Sequence, residues 1–447
     1  PDEHGDWLNQ RDDSFEQYIV LGDKRGKGLK LFDNFSLGVA TNRDAWAYNS
    51  SQANMLDNMQ RMIANYNAEL SRFNDVYPAA DRKERQAAIN EFIDNDPTQI
   101  SWTVNLKTEL VKNKEIFFDD SSVVRSLYRP YTKQWMYYNR TFNERVYQMP
   151  RIFPTADAEN LVIQATGVGS KTFSVLISNY LPCLDNIEKG QCFPLYLYDE
   201  QAIEDSDEQN TLFANEDISG LNRRDAITDE GLAHFQVAYP DNPLTKEDVF
   251  YYVYGILHSE DYRTRFQHNL SKELPRIPRV KTFSDFKAFS DAGRKLADLH
   301  LNYEGVEKYP VKFSGTLKHD GKDFINASSA DFYVTKMKHP KKTDEETGKR
   351  VDDLSKIIYN GKITLEGIPE EAYEYVVNSK SAIAWVMERQ AVTTHKASGI
   401  TNDANDWAIE TMGSPKYPLE LLQRVITVSL ETMKIVNNLP KLDLKEV

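Results

Sequence analysis

Hydrophobic residues recur at intervals of three and four from Met55 to Phe73, and polar residues fill the positions between them. This spacing puts the apolar side chains on one face and predicts a long amphipathic helix. Asp81 is a residue type that caps helices and precedes a second periodic stretch, and a third helix is expected from Trp102 to Val111. Residues 51–120 are therefore predicted to form a helical connector.

Beyond Ser126 the pattern changes to aromatic and β-branched residues, with turn residues between short apolar runs. Such runs are typical of β-strands. Strands are expected at 134–139, 161–166, 172–178 and 193–198. Residues 121–215 are therefore predicted to be β-rich.

Helical patterns return within residues 240–305. The pairs Thr245/Asp248 and Thr282/Asp285 have the spacing of capping boxes, and each precedes a stretch with one apolar face. We expect a helix to begin after each of the two threonines.

Residues 306–447 are expected to mix strands and helices. Asn360-Gly361 separates two strand-like runs and predicts a hairpin with a two-residue turn. The run from Lys336 to Arg350 is predicted to be a mobile surface loop, and Leu419 to Asn437 a closing helix. The fold class predicted for the whole chain is α+β.

The segment Thr166 to Thr172, TGVGSKT, resembles a phosphate-binding loop at first sight. Such a loop needs a glycine directly before its lysine and a helix after it. Here Ser170 precedes Lys171, and the following residues alternate between polar and apolar, which is the pattern of a strand. We therefore predict a β-hairpin whose tip presents Lys171 and Thr172.

The composition is that of an ordinary folded protein, with 40% hydrophobic and 27% charged residues. No apolar run approaches the ~20 residues of a membrane span, and no signal peptide opens the chain. The two cysteines, Cys183 and Cys192, fit a reducing compartment, although their spacing also permits a disulfide; no Cys/His cluster has zinc-ligand spacing. We expect a cytoplasmic protein with no metal site and no membrane partner.

Charge is unevenly distributed along a chain whose net charge is -14. The window 199–217 holds eight acidic residues and no basic ones, as expected of a solvated loop. By contrast, 125–151 and 263–281 each hold six basic residues and one acidic residue. Two basic islands on an acidic body fit a protein that grips a polyanion on one face, although a solvated or ion-paired surface is an equal alternative for each island.

No motif for catalysis is present. The chain lacks the Asn/Asp-Pro-Pro-Tyr motif of adenine methyltransferases and the Phe-x-Gly-x-Gly turn for a methyl donor. It also lacks His-Glu-x-x-His and Gly-x-Ser-x-Gly. We therefore assign no catalytic, cofactor-binding or metal-binding residue, and expect this chain to be non-catalytic by itself.

Several longer strings are distinctive when taken in order: PDEHGDWLNQR from Pro1, GVATNRDAW from Gly38, LYRPY from Leu127, YGILHS from Tyr254, ELPRIP from Glu273 and RVITVSLET from Arg424. Together they resemble Type ISP restriction–modification enzymes, at the end of the methyltransferase and in the target-recognition region. They span nearly the whole chain, which makes the resemblance specific.

The resemblance implies a piece of a single-chain enzyme that also carries a nuclease, an ATP-driven motor and an adenine-N6 methyltransferase. Residues 1–50 would be the tail of the methyltransferase domain, 51–120 the connector and 121–447 the target-recognition domain. The parent enzyme would use S-adenosylmethionine, ATP and Mg, none of which has matching motifs here. The partners implied are double-stranded DNA and the enzyme's own upstream methyltransferase and motor domains.

The function expected is sequence-specific recognition of duplex DNA. Basic side chains would contact the phosphates, and a few other side chains would contact the edges of the bases. It would position DNA for adenine-N6 methylation and for translocation-dependent cleavage by the other domains. The candidate DNA-binding residues are Lys171, Thr172, Arg140, Arg145, Arg263, Arg265, Arg276, Arg279, Lys281, Asn42 and Arg43. We expect both basic islands to converge on one concave surface. The alternative is a docking module that joins the motor and methyltransferase parts without reading bases.

Overall fold

The computed structural model describes residues 11–26, 28–78, 81–200, 221–321 and 323–445. Its helices are α1 Asp44–Ala47, α2 Gln52–Val76, α3 Arg82–Phe92, α4 Val104–Val111, α5 Asp229–Gln236, α6 Lys246–His258, α7 Glu260–Arg265, α8 Gln267–Leu270, α9 Phe283–Leu301, α10 Ala382–Arg389, α11 Ala404–Asp406 and α12 Tyr417–Asn437.

The strands fall throughout the same ranges. They are β1 Ile19–Val20, β2 Ser36–Leu37, β3 Tyr48–Asn49, β4 Val123–Arg129, β5 Thr132–Tyr137, β6 Val162–Ala165, β7 Val175–Ser178, β8 Leu181–Pro182, β9 Gln191–Pro194, β10 Tyr196–Glu200, β11 Leu221–Asp225, β12 Arg276–Ile277, β13 Lys312–Ser314, β14 Lys341–Thr343, β15 Arg350–Asp352, β16 Lys356–Ile358, β17 Thr364–Glu366, β18 Val376–Val377, β19 Lys380–Ser381, β20 Val392–Thr394 and β21 Thr401–Asp403. The α+β class is confirmed.

The three predicted helices of the connector are present as α2, α3 and α4. The Asp81 side chain accepts from the backbone N–H groups of Lys83 and Glu84, and the Glu84 carboxylate closes a capping box. Arg85 then ties α3 to the end of α4, because its guanidinium donates to the carbonyl oxygens of Leu110 and Val111. These bonds satisfy carbonyls that the end of a helix leaves without partners.

Two four-stranded sheets form the β-rich part of the chain. One has the order β2-β9-β6-β7, and the other has the order β3-β5-β4-β8. The predicted hairpin at 162–178 is confirmed, with β6 and β7 antiparallel. Strands β2 and β3 come from the first 50 residues, so this segment is built into the same two sheets.

Helices α6 and α9 pack closely against each other, and both contact strand β7. Both predicted capping interactions are present, with Thr245 accepting from the Asp248 N–H and Thr282 from the Asp285 N–H. The two helix axes approach at Gly255 and Gly293, where no side chain separates the backbones.

A second hydrophobic core lies in the carboxyl-terminal part, around α10, α12 and the sheet β13-β17-β16. The predicted hairpin around Asn360 exists, but the two-residue turn is wrong, since Ile358 pairs with Thr364 across five residues. The Asn360 side-chain oxygen accepts from the N–H groups of Lys362 and Ile363 and so shapes a longer turn.

The run Lys336–Arg350, predicted to be a mobile loop, instead contributes β14 to a hairpin with β15. Both strands are largely exposed, and an ion pair between Lys341 and Asp352 joins them. Because neither face is buried, the sequence has no apolar alternation that would reveal these strands.

Cys183 and Cys192 are both buried and free, so the disulfide alternative is excluded. None of the described helices is long and apolar enough to cross a membrane. Most of the acidic window, residues 201–217, lies outside the described residues.

Candidate nucleic-acid interface

The tip of the β6–β7 hairpin is held by neighbouring loops. Gly169 has a φ of +77°, in the left-handed region that favours glycine, and its N–H donates to the Ser271 carbonyl at 3.2 Å. The Thr172 hydroxyl lies 2.8 Å from the Ser379 hydroxyl in the β18–β19 turn. The side chains of Lys171 and Thr172 are exposed. Contacts with neighbouring loops therefore hold the hairpin tip in place, while the side chain of Lys171 remains exposed.

Three further loops complete what we call the loop cluster, which comprises residues 167–172, 187–190, 271–272 and 378–380. The Gly167 N–H donates to the Glu188 carbonyl at 3.0 Å, and the Ser170 hydroxyl donates to the same carbonyl at 3.2 Å. Segments distant in sequence thus meet at one place through backbone hydrogen bonds.

The loop cluster carries three exposed lysines, Lys171, Lys189 and Lys272. Within the described part of the chain, none of these three lysines forms an ion pair through its ammonium group. Lys189 lies outside both basic islands and was missed by the sequence analysis, and Lys272 was counted in its island without being singled out. The sequence alone does not single out either lysine, because only the folded structure brings their loops together.

Most candidates in the second basic island have fixed structural partners instead. Arg265 pairs with Asp12 at 2.8 Å, Arg276 with Glu273 at 3.2 Å, and Lys281 with Asp443 at 3.7 Å. Arg279 donates to the His234 carbonyl at 3.2 Å. These four cations therefore have partners within the fold, several of them distant in sequence, and are less available to a phosphate than an unpaired cation would be.

Arg263 points inward from α7. Its Nε donates to the Leu257 carbonyl at 2.6 Å, and its guanidinium lies 5.7 Å from the ring centre of Phe173, beneath the hairpin tip. Burial lowers the pKa of this guanidinium. Arg263 thus supports the loop cluster from below.

The candidates of the first island remain at the surface. Arg140 is exposed at the turn after β5, and Arg145 has 57% of its side chain exposed, with Glu144 at 3.7 Å. By contrast, the aromatics Trp135 and Tyr137 of this island are held in the fold: Tyr137 is fully buried, and the Trp135 indole donates to Thr411.

Asn42 and Arg43 adjoin a cavity of about 570 Å³. Asn42 is exposed, with a φ of 53°. Arg43 is only 4% exposed and donates to the Thr103 hydroxyl at 2.6 Å and to the Met62 sulfur at 3.7 Å. Burial lowers the pKa of Arg43 to about 9, with Glu144 acting in the opposite direction. The Arg43 guanidinium is therefore held inside the fold, against α2 and the residue that caps α4, and not at the open surface.

The cavity wall comes from several parts of the chain, including Pro97 and Ser101 in the loop between α3 and α4. The segment 42–48, strands β4 and β5, the end of α10 and the β20–β21 hairpin each contribute lining residues. Among these are Trp46, Tyr128, Gln134, Arg389, His395 and Asn402. Trp46 and Gln134 are themselves buried, whereas His395 is exposed, so the wall combines buried and exposed side chains.

One ion-pair network joins the loop cluster to this cavity. Lys380, in the loop cluster, forms an ion pair with Glu388, and Arg389 pairs with the same carboxylate at 2.7 Å. Glu388 and Arg389 both line the cavity. The loop cluster and the cavity are therefore neighbouring parts of one polar surface.

Comparison with protein-family models places the chain in the class of specificity domains, with a match over residues 30–421 to the model described as the Type ISP C-terminal specificity domain. That match covers most of the chain. The chain belongs to the Type ISP C-terminal specificity domain family.

Solved structures of longer enzymes share this fold. A nuclease-deletion mutant of the Type ISP restriction–modification enzyme LlaGI, in complex with a DNA substrate mimic, is 35% identical with a TM-score of 0.80. The ATP-dependent Type ISP enzyme LlaBIII bound to DNA is 33% identical with a TM-score of 0.81, and a DrdV–DNA complex is 30% identical with a TM-score of 0.76.

These matches cover 100%, 100% and 97% of this chain but only 36%, 25% and 39% of the respective solved chains. The chain thus spans well under half the length of the enzymes it resembles. No curated protein matches it.

Proposed function

We propose that this chain recognises double-stranded DNA as the specificity region of a longer restriction–modification enzyme. The observation that carries the proposal is the loop cluster, where three exposed lysines without ion pairs in the described chain meet on braced loops. Cations of this kind neutralise phosphates and set the register of the protein on the duplex. The similar solved structures, which are DNA complexes, support it.

In this proposal the backbone of the duplex follows the loop cluster, and side chains around the cavity approach base edges. Asn42, Arg140 and Arg145 remain candidates for groove or backbone contacts because they are exposed. The paired cations of the second island, such as Arg265 and Arg276, are left out, since moving them to phosphates would break contacts that hold the fold. In the parent enzyme, this recognition would position DNA for adenine-N6 methylation and cleavage by the upstream domains with S-adenosylmethionine, ATP and Mg.

The test has two steps. Duplexes that bind the chain are first selected from a random library. The affinity of the chain for these duplexes is then measured by fluorescence anisotropy across a salt series. Each lysine that neutralises a phosphate contributes about 0.9 to the slope of log affinity against log salt concentration. We expect Lys171→Gln, Lys189→Gln and Lys272→Gln each to reduce the slope by up to that amount, and the triple variant by up to roughly 2.7.

Two controls separate this role from general effects. Lys83 is exposed on α3, so Lys83→Gln should leave the slope unchanged. Arg276→Gln should lower stability while leaving the slope unchanged, because Arg276 is bonded to Glu273 and to the carbonyls of Glu16 and Tyr18. A triple lysine variant with the affinity and slope of the unaltered chain would refute the proposed surface.

A second candidate function is docking to another domain of the same enzyme. It is favoured by large apolar side chains exposed on the connector, where Val104 is 69% exposed and Phe117 is 73% exposed. Exposed apolar groups of this size are typical of contact surfaces when they cluster. Stoichiometric binding to a methyltransferase or motor fragment, lost in Phe117→Ser and without DNA binding, would support this function instead.

A further inference from the structure

We propose that the β18–β19 turn enters the major groove of duplex DNA, where Asn378 bonds to the edge of an adenine and Val376 contacts the methyl group of a thymine. This inference rests on the proposed DNA recognition and adds specificity-determining residues to it. Phosphate contacts carry no sequence information, so recognition of a particular sequence needs a separate group that reaches the bases.

The first argument is the shape of the turn. Strands β18 and β19 pair as a short antiparallel ribbon with Val377 opposite Lys380, so only Asn378 and Ser379 form the turn. Their φ values are 53° and 64°. Positive φ at both central residues defines the tightest type of hairpin turn, type I′. The major groove is about 12 Å wide and admits a two-stranded ribbon, so a turn of this kind can reach the edges of the bases.

The second argument is that the turn is held from two sides. The Asn378 N–H donates to the hydroxyl of the buried Ser174 at 2.8 Å, and the Ser379 hydroxyl lies 2.8 Å from the Thr172 hydroxyl. On the carboxyl-terminal side, the Trp385 indole donates to the carbonyl oxygen of the residue before the turn at 2.9 Å. A side chain that distinguishes one base from another needs a fixed position of this kind.

The third argument is the chemistry that the ribbon leaves free. The side-chain amide of Asn378 is partly exposed and forms no hydrogen bond within the described part of the chain. An asparagine amide matches adenine, because it donates to N7 and accepts from the amino group on C6. Val376, two residues earlier, is 43% exposed, and apolar side chains recognise the methyl group of thymine in the same groove. The ribbon therefore offers one group for each base of an A·T pair.

The fourth argument is the surroundings of the turn. The other loops of the loop cluster carry Lys171, Lys189 and Lys272, whose exposed ammonium groups would neutralise the phosphates that border a groove. Lys189 has a φ of 52°, so positive φ at residues other than glycine recurs within the loop cluster. Strained backbone of this kind is concentrated at functional sites, where the rest of the fold maintains it.

Asparagine also occurs at positive φ for purely structural reasons, so the variants must separate the two roles. Asn378→Gly removes the amide but keeps the turn, because glycine adopts positive φ without strain. Asn378→Asp keeps the shape of the side chain but cannot donate, and a carboxylate accepts from the amino group of cytosine. Asn326 is exposed, has a φ of 54° and lies outside the loop cluster, so Asn326→Gly is the matched control.

The experiment selects bound duplexes from a random library with each variant and sequences them, after thermal unfolding has established that each variant is folded. In Asn378→Gly we expect the preference for adenine at one base pair to fall roughly 5- to 150-fold, which is the discrimination of one bidentate contact. Asn378→Asp should replace adenine by cytosine at that base pair. Val376→Ser should weaken the preference for A·T there or at the adjacent base pair, and Asn326→Gly should alter no preference.

The salt series distinguishes this inference from the proposed function. Asn378→Gly should leave the slope of log affinity against log salt concentration unchanged, because an amide neutralises no phosphate. A sequence preference that is unaltered in Asn378→Gly, or that still selects adenine in Asn378→Asp, would overturn base recognition by this turn and leave DNA recognition intact. An equal loss of affinity for every sequence in Asn378→Gly would also overturn it, since that result marks a structural role. Absence of duplex binding at low salt would overturn both.

Discussion

The close crossing of α6 and α9 should make Gly255 and Gly293 indispensable to the fold. A Cβ atom on Gly255 would lie 2.1 Å from the Phe289 carbonyl oxygen, and one on Gly293 would lie 1.9 Å from the Tyr251 carbonyl oxygen. Ordinary Cβ contacts begin near 3.4 Å. Because the atoms met are backbone oxygens, they cannot rotate away, and the helices must separate locally by roughly 1.3–1.5 Å.

The expected cost follows from two opposing effects. Overpacking in a core costs about 1–3 kcal/mol, with larger values where nothing flexible can yield. Alanine is favoured over glycine in a helix by about 1 kcal/mol, which offsets part of this cost. The separation would also loosen the stacked rings of Tyr252 and Phe286, whose centres are 4.5 Å apart. We expect Gly255→Ala and Gly293→Ala each to lower the free energy of unfolding by about 2 kcal/mol.

Urea unfolding followed by circular dichroism measures this change. Gly361→Ala is the matched control, since a Cβ there meets no atom within 4 Å, and it should change stability by less than about 0.5 kcal/mol. The double variant should lose less than the sum of the single losses, because helices already separated accommodate the second methyl group. A Gly255→Ala protein as stable as the unaltered chain would show that the crossing is not tightly packed.

Three further predictions concern titratable groups. Burial lowers the pKa of His300 to about 3. Because the unfolded chain binds the proton more readily than the folded chain, the free energy of unfolding should fall as the pH drops from about 6.5 towards 3. In His300→Gln, urea unfolding curves should depend less on pH in that window. Burial, together with Asp403 and Glu410, raises the pKa of Asp406 to about 6. Because the charged form of Asp406 opposes folding at neutral pH, Asp406→Asn should raise the melting temperature at pH 7.5, by an amount that shrinks as the pH falls below 6. An equal gain at pH 5 would contradict this reasoning. Burial raises the pKa of the Cys183 and Cys192 thiols to about 11 and about 12; both should resist a thiol-specific alkylating reagent until denaturant is added, as mass spectrometry can determine.

The helices and the central hairpin could be predicted because their signals are local. Capping residues such as Asp81, Thr245 and Thr282 act on amides two or three positions away, so the sequence contains both partners of each contact. The β14–β15 hairpin could not be predicted, since its strands bury neither face and leave no alternating pattern. The long turn after Asn360 was missed because an Asn-Gly pair is compatible with more than one loop length.

The basic islands show why charge density along a sequence is a weak guide to a binding surface. Arg265 and Lys281 find their carboxylates at Asp12 and Asp443, far away in sequence, so no local window reveals that these cations are paired. Exposed lysines at turns behave differently: the residues of a turn bond through their backbones to other loops, which leaves the side chain pointing to solvent. Lys189, isolated in sequence, becomes part of a basic surface only because its neighbours Glu188 and Gly190 bond to Gly167 and Gly38. Whether a cation is available to DNA is thus decided by which anions the fold places beside it, and this is a property of tertiary structure.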